Sequence, residues 1–183
     1  VPFPSTLMKV VEVDDPSREV GVDEPGELLI KGPQVFQGYW RDPETTSDTL
    51  VDGWLRTGDV VTVDNEGFTT IVDRKKEIII TGGFNVAPTE VENALRQYPH
   101  VVDAAVVGLP SEHSGEEVVA AVVLDGTRDV DVEAIREFAR GILTPYKVPR
   151  RIFVVDELPT SLIGKVLRRQ VRESLLALTQ PDR

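Results

Sequence analysis

Residues Asp52–Glu92 read DGWLRTGDVVTVDNEGFTTIVDRKKEIIITGGFNVAPTEVE, and the rest of the chain is organised around this stretch. Within it, Thr57-Gly58-Asp59 predicts a tight turn between two strands. A charged run at 73–76 interrupts an otherwise apolar region. Farther on, Thr81-Gly82-Gly83 is expected to end a strand over 77–80. Pro88 then opens a helix, because proline lacks only a donor that the first helical turn leaves unused.

Asp59 and Arg74 lie at opposite ends of a predicted hairpin. A carboxylate that only accepts hydrogen bonds and a guanidinium with a fixed fork of donors suit a ligand with neighbouring hydroxyls or a phosphate ester. The alternative is that Asp59 caps its own turn and Arg74 forms a surface ion pair, as such residues often do. These two residues alone leave both interpretations open.

Two motifs resemble those of a known enzyme superfamily. Residues Asp52–Lys76 match the fatty-acyl-CoA synthetase signature almost residue for residue, and residues 158–166, LPTSLIGKV, resemble its closing lysine motif. On these motifs the chain is identified as a member of the acyl-adenylate-forming superfamily, which includes acyl-CoA synthetases, beetle luciferases and the adenylation domains of peptide synthetases. It most resembles the C-terminal portion of bacterial long-chain fatty-acid–CoA ligases. The matching signature positions are Gly53-Trp54-Leu55, Thr57-Gly58-Asp59, Gly67, Asp73-Arg74 and Lys76.

Composition argues against several classes of function. The net charge of −11 disfavours a nucleic-acid partner, because phosphate backbones require a basic protein face, and it disfavours constitutive binding to anionic lipid. The absence of Cys excludes disulfides, thiolate metal sites and a cysteine nucleophile. No apolar run approaches the ~20 residues that span a bilayer. We therefore expect a cytoplasmic protein without a transmembrane segment, and leave peripheral membrane contact and a homodimer open.

The start of the sequence, VPFPSTLMKV, has neither an initiating Met nor a signal-peptide pattern, so we expect it to continue a longer chain. The superfamily's phosphate-binding loop and its aromatic-Thr-Glu motif, whose acid serves Mg²⁺, are absent from the sequence, and the resemblance places both upstream. This piece alone is expected to be inert. A cut at Val1 is expected to expose strand edges that favour partner chains or aggregation.

The hydrophobic pattern changes near residues 74–76, and the fold class predicted from it is α+β. Residues 1–73 predict short strands joined by polar turns, whereas 77–183 alternate helix and strand, as in a small domain with an antiparallel sheet and flanking helices. The predicted strands are 7–13, 27–31, 60–63, 68–72, 77–80, 101–109, 117–124 and 151–155. The predicted helices are 44–50, one from Pro88, one entered through 129–131, and 167–178.

The resemblance gives these segments roles. It implies that residues 1–73 are the β-rich end of a large N-terminal adenylation domain, that 74–76 form a hinge, and that 77–183 form a mobile C-terminal domain. The resemblance aligns Lys76 with the residue about which the small domain rotates. Mechanically, one residue that absorbs a large change in φ and ψ can swing a rigid domain. The alternative for Lys76 is an exposed lysine beside other charges.

Ligases of this kind run two half-reactions. A fatty carboxylate attacks the α-phosphate of MgATP to give acyl-adenylate and pyrophosphate, and the thiol of CoA then displaces AMP to give acyl-CoA. The resemblance assigns Lys165 as the catalytic cation of the first step, where negative charges converge. Gly164 is expected to give its loop freedom. The alternative is a solvated lysine at a helix start, where a cation opposes the helix dipole.

The remaining assignments concern nucleotide and CoA. Asp59 would accept hydrogen bonds from the two ribose hydroxyls of ATP or AMP, and Arg74 would donate to the same region. Gly83 would line the thiol tunnel, because a backbone without Cβ atoms can lie against pantetheine. Tyr146 and Arg150 resemble positions that meet the adenine and phosphates of CoA in some relatives. An aromatic residue packed beside two prolines can equally be structural.

Other polar residues are not assigned to a site. His100 and His113 lack the second His or carboxylate spacing of a metal site, so no metal ligand is predicted within this chain. Arg168, Arg169 and Arg172 are predicted to form a solvated helix face.

Three rival functions remain. A luciferase-like oxidoreductase shares the adenylation step, and CoA-dependent consumption of acyl-adenylate without light would separate the two. A fatty-acyl-AMP ligase or an aryl or medium-chain acyl-CoA ligase is the second rival, and only the acyl pocket, which is expected upstream, decides between them. A non-catalytic interaction module that kept the fold is disfavoured by the joint retention of Asp59, Arg74 and Lys165.

Overall fold

The computed structural model describes residues 4–127 and 130–179. The chain divides into two compact units, Val1–Lys76 (unit 1) and Glu77–Arg183 (unit 2). The division falls within the 3-10 turn Lys75–Glu77. Each unit contains its own five-stranded sheet. No helix in the described part of the chain is both long and apolar enough to cross a bilayer.

Unit 1 is a sheet in which every strand pair is antiparallel. The long central strand β4 pairs with β2 on one edge and with β3 and β5 on the other, and β1 extends the sheet beyond β2. Its elements are β1 (Leu7–Val11), β2 (Gly26–Lys31), α1 (Pro43–Thr49), β3 (Leu50–Val51), β4 (Trp54–Val63) and β5 (Thr69–Arg74). The predicted helix is confirmed as α1, which begins where the Asp42 side chain accepts a hydrogen bond from the Thr45 amide.

The hairpin between β4 and β5 turns at Asp64, as the sequence predicts. The Asp64 carboxylate accepts from the amides of Glu66 and Phe68, both at 2.9 Å. Gly67 has a φ of +83°, a conformation that glycine adopts without a steric penalty. The turn therefore fixes which residues of β4 and β5 face each other.

The prediction of a tight turn at Thr57-Gly58-Asp59 is wrong, because these residues lie inside β4. The register of β2 on β4 shifts here, so that residues 57–59 lie opposite Leu28 alone. Gly58 has a φ of +70°, and the Thr57 hydroxyl donates to the Leu28 carbonyl at 2.8 Å. This is a β-bulge, which uses the same left-handed glycine as a tight turn while the strand continues.

Unit 2 confirms the predicted α+β class, with one parallel strand pair in an otherwise antiparallel sheet. The sheet order is β10-β9-β6-β7 with β8 beside β9. The chain leaves β9, passes through a helix and returns as β10, and such a crossover makes a pair parallel. The elements are β6 (Ile79–Thr81), β7 (Phe84–Val86), α2 (Pro88–Leu95), β8 (Val101–Ser111), β9 (Gly115–Leu124), α3 (Val132–Arg140), β10 (Arg151–Val154) and α4 (Arg168–Thr179).

Most element boundaries in unit 2 agree with the sequence prediction. Two differences stand out. The strand predicted for 77–80 begins only at Ile79, because Lys75–Glu77 forms a 3-10 turn, and β7 was not predicted. Helix α2 begins at Pro88 as expected, and α3 begins after Asp131, whose side chain accepts from the Glu133 amide. Asp129, part of the predicted entry to α3, lies outside the described residues.

Strands β8 and β9 form the middle of unit 2 and are buried on both faces. Successive side chains of a strand point to opposite faces, so β8 contributes to two apolar clusters. Ala104 and Val106 belong to the cluster that includes residues of α2 and α3, and Val107 and Leu109 belong to the cluster that includes residues of α4. This packing holds the helices, and therefore the loops that enter them, against one sheet.

Candidate functional site

Asp59 and Arg74, the two residues predicted to contact the ribose, are paired positions of β4 and β5. Arg74 Nε lies 2.8 Å from Asp59 Oδ1, and the two side chains are 52% and 21% exposed. The Asp59 amide donates to the Thr57 hydroxyl at 3.1 Å, so the bulge holds the backbone that carries the carboxylate. An ion pair this exposed contributes about 1 kcal/mol or less, so a ligand can replace it at little cost.

A buried carboxylate that the sequence analysis missed lies beside this pair. Glu27 is 2% exposed and accepts from Arg56 Nη2 at 3.0 Å and from Lys75 Nζ at 2.8 Å. Burial by itself raises the pKa of Glu27, but the hydrogen bonds and charges of Arg56 and Lys75 together hold that pKa below its usual value. The residue just before Lys76 is thereby tied to the core of unit 1.

Lys165 lies on a structured hairpin loop in unit 2. The Gly164 amide donates to the Ser161 carbonyl and the Ser161 amide donates to the Lys165 carbonyl, both at 2.8 Å. Gly164 has a φ of +76°, the left-handed position of a three-residue hairpin loop. Gly164 thus closes a defined turn, and the freedom of this loop stays a prediction. Lys165 is exposed, and its ammonium contacts no acceptor among the described residues.

Arg168 begins α4 and is surrounded by polar partners rather than solvent. Its Nε and Nη2 donate to the two carboxylate oxygens of Glu92 at 2.9 and 2.8 Å. Nη2 also donates to Thr89 Oγ1 at 2.8 Å, and Nη1 donates to Glu77. Glu92 is 4% exposed and accepts from the Val106 amide at 3.0 Å. We call Arg168, Glu92, Glu77 and Thr89 the Arg168 cluster.

The prediction that Arg168, Arg169 and Arg172 form one solvated face is wrong for two of the three. Arg168 lies in its cluster, and Arg172 Nε donates to the Gly108 carbonyl at 2.9 Å. Arg169 is 87% exposed, and its one ion-pair partner among the described residues is Glu173, at 3.5 Å. The sequence did contain one signal that a buried arginine partner was needed. Glu92 is an acidic residue next to Val91, in a helix whose other buried positions are apolar.

Gly83 and Tyr146 are brought together through a residue that the sequence analysis did not assign. Gly82 and Gly83, with φ of +57° and +82°, form the two-residue turn between β6 and β7. Phe84 follows this turn and stacks on Tyr146, with ring centroids 4.4 Å apart and planes inclined by 17°. Arg150 is exposed and follows Tyr146 in the same loop region, and its amide donates to the Val118 carbonyl.

The two histidines lie outside these groups of residues. His100 Nδ1 lies 2.9 Å from Asp125 Oδ2, where β8 begins and β9 ends. Hydrogen bonds from Thr127 and His100 lower the pKa of Asp125 to about 2. Among residues 4–127 and 130–179, no group of three or more His, Cys, Asp or Glu could hold a metal ion.

A family model for the AMP-binding enzyme C-terminal domain matches residues 90–165. The matched AMP-binding C-terminal domain runs from α2 to Lys165 and contains Tyr146 and Arg150. Asp59, Arg74, Lys76 and Gly83 precede it in the chain.

Curated relatives extend the match well beyond the AMP-binding C-terminal domain. The chain is 47% identical to a long-chain-fatty-acid–CoA ligase of Escherichia coli O6:H1. The alignment spans 173 residues and covers 94% of this chain and 30% of the relative. It is 45% identical over 164 residues to a feruloyl-CoA synthase of Amycolatopsis sp, 88% of this chain and 33% of the relative. The chain therefore spans about a third of the length of the curated relatives it matches.

Solved structures show that the fold is that of adenylate-forming enzymes. ATP-bound MatB from Rhodopseudomonas palustris aligns with a TM-score of 0.87 at 35% identity, covering 97% of this chain and 35% of MatB. The amide bond synthetase McbA from Marinactinospora thermotolerans aligns with a TM-score of 0.81 at 39% identity, covering 94% and 34%. Both alignments include unit 1 as well as the AMP-binding C-terminal domain, since each covers more than nine-tenths of the chain.

Proposed function

We propose that this chain is the C-terminal part of an ATP-dependent long-chain fatty-acid–CoA ligase. The enzyme converts fatty acid, ATP and CoA to acyl-CoA, AMP and pyrophosphate through an acyl-adenylate. The observation that carries the proposal is the cross-strand pair of Asp59 and Arg74, an exposed acceptor and donor held side by side by a bulge. The 47% identity to a ligase of that name supports the same activity.

In the adenylation step, a fatty carboxylate oxygen bonds to the α-phosphorus of ATP and the bond to pyrophosphate breaks. Asp59 accepts hydrogen bonds from the ribose hydroxyls, and Arg74 donates to the same region when the nucleotide replaces their ion pair. Lys165 supplies the cation where carboxylate and phosphate charges converge, a role that suits an exposed ammonium without a competing acceptor among the described residues. Its defined loop limits the positions that this ammonium can sample.

In the thioester step, the CoA sulfur bonds to the acyl carbon, AMP leaves with the former carboxylate oxygen, and the thiol proton is released. Gly83 offers a backbone without a side chain. An added Cβ there would meet nothing within 4 Å in the described part of the chain, which leaves room for pantetheine. Tyr146 and Arg150 offer an aromatic face and a guanidinium for the nucleotide end of CoA. Stacking on Phe84 holds the ring of Tyr146 in one plane.

Lys76 is the proposed pivot between the two steps. Its neighbours are held on either side: Lys75 by Glu27 in unit 1, and Glu77 by Arg168 in unit 2. With both flanking residues anchored, a change of backbone conformation concentrates at Lys76. This arrangement suits a hinge that absorbs a large change in one residue.

Mg²⁺ would accompany ATP, and its ligands are expected upstream of unit 1, in the rest of the N-terminal domain. The described residues offer no cluster that fits the ion, so no step above depends on it. Fatty acid, ATP, CoA and the rest of that N-terminal domain are the proposed partners.

A second candidate is an aryl acyl-CoA ligase, favoured by the 45% identity to a feruloyl-CoA synthase. The adenylate and thiol chemistry is the same, and only the acid differs. The test is pyrophosphate release by the full-length protein with acids of rising chain length and with hydroxycinnamic acids. The proposal predicts the highest kcat/KM for long-chain fatty acids and CoA-dependent loss of the acyl-adenylate without light. A preference for the aromatic acids would replace the first candidate by the second.

A further inference from the structure

Glu92 determines the geometry of the Arg168 cluster. A carboxylate that is 4% exposed is costly to bury unless its oxygens are hydrogen-bonded. The Val106 amide donates to one oxygen from the central strand β8, and the guanidinium of Arg168 donates to both. Because this pairing is bidentate, it sets the direction of the guanidinium as well as its distance. A lysine in the same place has no such fork.

The cluster joins three parts of unit 2 that the proposed reaction uses. Glu77 is the first residue of unit 2, directly after the pivot residue Lys76. Thr89 and Glu92 belong to α2, which packs on the central sheet. Arg168 is the first residue of α4, three positions after Lys165. The Arg168 side chain therefore connects Glu77, next to the proposed pivot, to the start of α4, which follows the loop that carries Lys165.

The segment between Lys165 and Arg168 has little freedom. Val166 forms a bridge with Thr160 across the loop, and the Leu167 amide donates to the Pro159 carbonyl at 2.8 Å. The base of the loop is also packed, since Leu158 is buried in the α4 cluster of apolar residues. A displacement of Arg168 is therefore transmitted along the backbone to Lys165.

We propose that Arg168 is a positioning residue for Lys165. Arg168 holds the loop that carries Lys165 in a fixed position relative to Glu77, the first residue of unit 2. The inference rests on the proposed function, because Lys165 must be the cation of the adenylation step. Arg168 acts through Lys165, so its loss slows adenylation and leaves the thioester step unaffected. Its neighbour Arg169 lies in the same helical turn, is 87% exposed and lacks the cluster, which makes it a matched control.

The test is a double-mutant cycle in the full-length protein. Arg168→Lys keeps the charge and removes the fork; it is measured with Lys165 present and in the Lys165→Ala background, beside Arg169→Lys. We expect Arg168→Lys to lower kcat for pyrophosphate release by about 10- to 100-fold, since a misplacement of about 1 Å can cost that much, with little change in KM for ATP. In the Lys165→Ala background it should have no further effect. Acyl-CoA formation from supplied acyl-adenylate and the activity of Arg169→Lys should match the parent.

The contrary results are distinct from one another. An equal loss in the Lys165→Ala background, or a parallel loss in both half-reactions, would show that Arg168 only supports the fold and would overturn this inference alone. Unchanged pyrophosphate release by Lys165→Ala would overturn the role of Lys165, and this inference with it. If Arg168→Lys does not fold, Glu77→Gln carries the same cycle, because it weakens one contact of the fork at a side chain that is 28% exposed.

Discussion

Asp59 and Arg74 face each other across β4 and β5, with 2.8 Å between Asp59 Oδ1 and Arg74 Nε. Within the described residues neither side chain has another ion-pair partner. The pair is the surface ion pair that the sequence left as an alternative, and the same two groups are the acceptor and donor that we propose for a ribose. Because the exposed pair is weak, these two roles are compatible.

Asp59→Ala should raise KM for ATP in the full-length protein by about 10- to 100-fold, since hydrogen bonds to a charged group contribute about 1.5–3 kcal/mol. Fatty-acid affinity of the nucleotide-free enzyme should stay nearly intact. Glu66→Ala, at an exposed acid in the turn of the same hairpin, is the control. An equal loss of fatty-acid and ATP affinity in a folded Asp59→Ala protein would contradict the ribose assignment.

Lys76→Pro should preserve one half-reaction and abolish most of the other. Proline fixes φ near −65° and restricts the residue before it, so a pivot at this position is held in one conformation. Lys76→Ala, which removes the charge but keeps backbone freedom, should retain both steps. The measurements are pyrophosphate release and acyl-CoA formation from supplied acyl-adenylate. Normal overall turnover by Lys76→Pro would exclude a hinge at this residue.

Glu27→Gln should destabilise the protein at neutral pH by about 3 kcal/mol or more, because it leaves Arg56 and Lys75 without their buried counter-charge. The folded pKa of Glu27 is below its unfolded value. Its contribution to stability is therefore complete above the unfolded pKa and is lost as pH falls through the folded pKa.

Urea unfolding of Glu27→Gln and of the parent at a series of pH values measures this difference. The gap in unfolding midpoint should be widest at neutral pH and should narrow in acid. Glu19→Gln, at an exposed acid of the same unit, should behave like the parent at every pH. A gap that does not change with pH would show that the charge of Glu27 is not what stabilises the unit.

Gly83→Asn should fold and should impair the thioester step alone. Asn tolerates the left-handed conformation, and a Cβ added at this position meets no atom of the described residues within 4 Å. If Gly83 lines the thiol path, the added side chain displaces CoA, and a shift of about 1 Å can cost 100-fold in rate. Gly82→Asn is the control for the turn. Equal kcat/KM for CoA in both variants would remove Gly83 from the path.

The sequence was sufficient for most of the fold because its strands and helices carry clear periodicity. Strands β8 and β9 are β-branched runs, and α2 and α3 begin at Pro88 and after Asp131, which are local start signals. Local signals failed at Gly58. A bulge and a turn both require a left-handed glycine, and only the pairing of β4 with β2 distinguishes them.

The candidate site was predicted in part. Two motifs pointed to the proposed residues: the signature at 52–76 contains Asp59 and Arg74, and the motif at 158–166 contains Lys165. Each motif is a short continuous segment and can be recognised from sequence. Arg168 was misread as solvated because its partner Glu92 comes from a distant helix, and charge alone does not reveal burial. Glu27 was missed for the same reason, because Lys75 and Arg56 reach it only when the sheet of unit 1 is formed.

The most direct test of the account is Lys165→Ala in the full-length protein, measured in both half-reactions. Removal of one group that stabilises transition-state charge should lower kcat for pyrophosphate release by about 100- to 1,000-fold. Acyl-CoA formation from supplied acyl-adenylate should remain at the parent rate. Pyrophosphate release at the parent rate, or an equal loss in both half-reactions, would contradict the assignment of Lys165 as the adenylating cation.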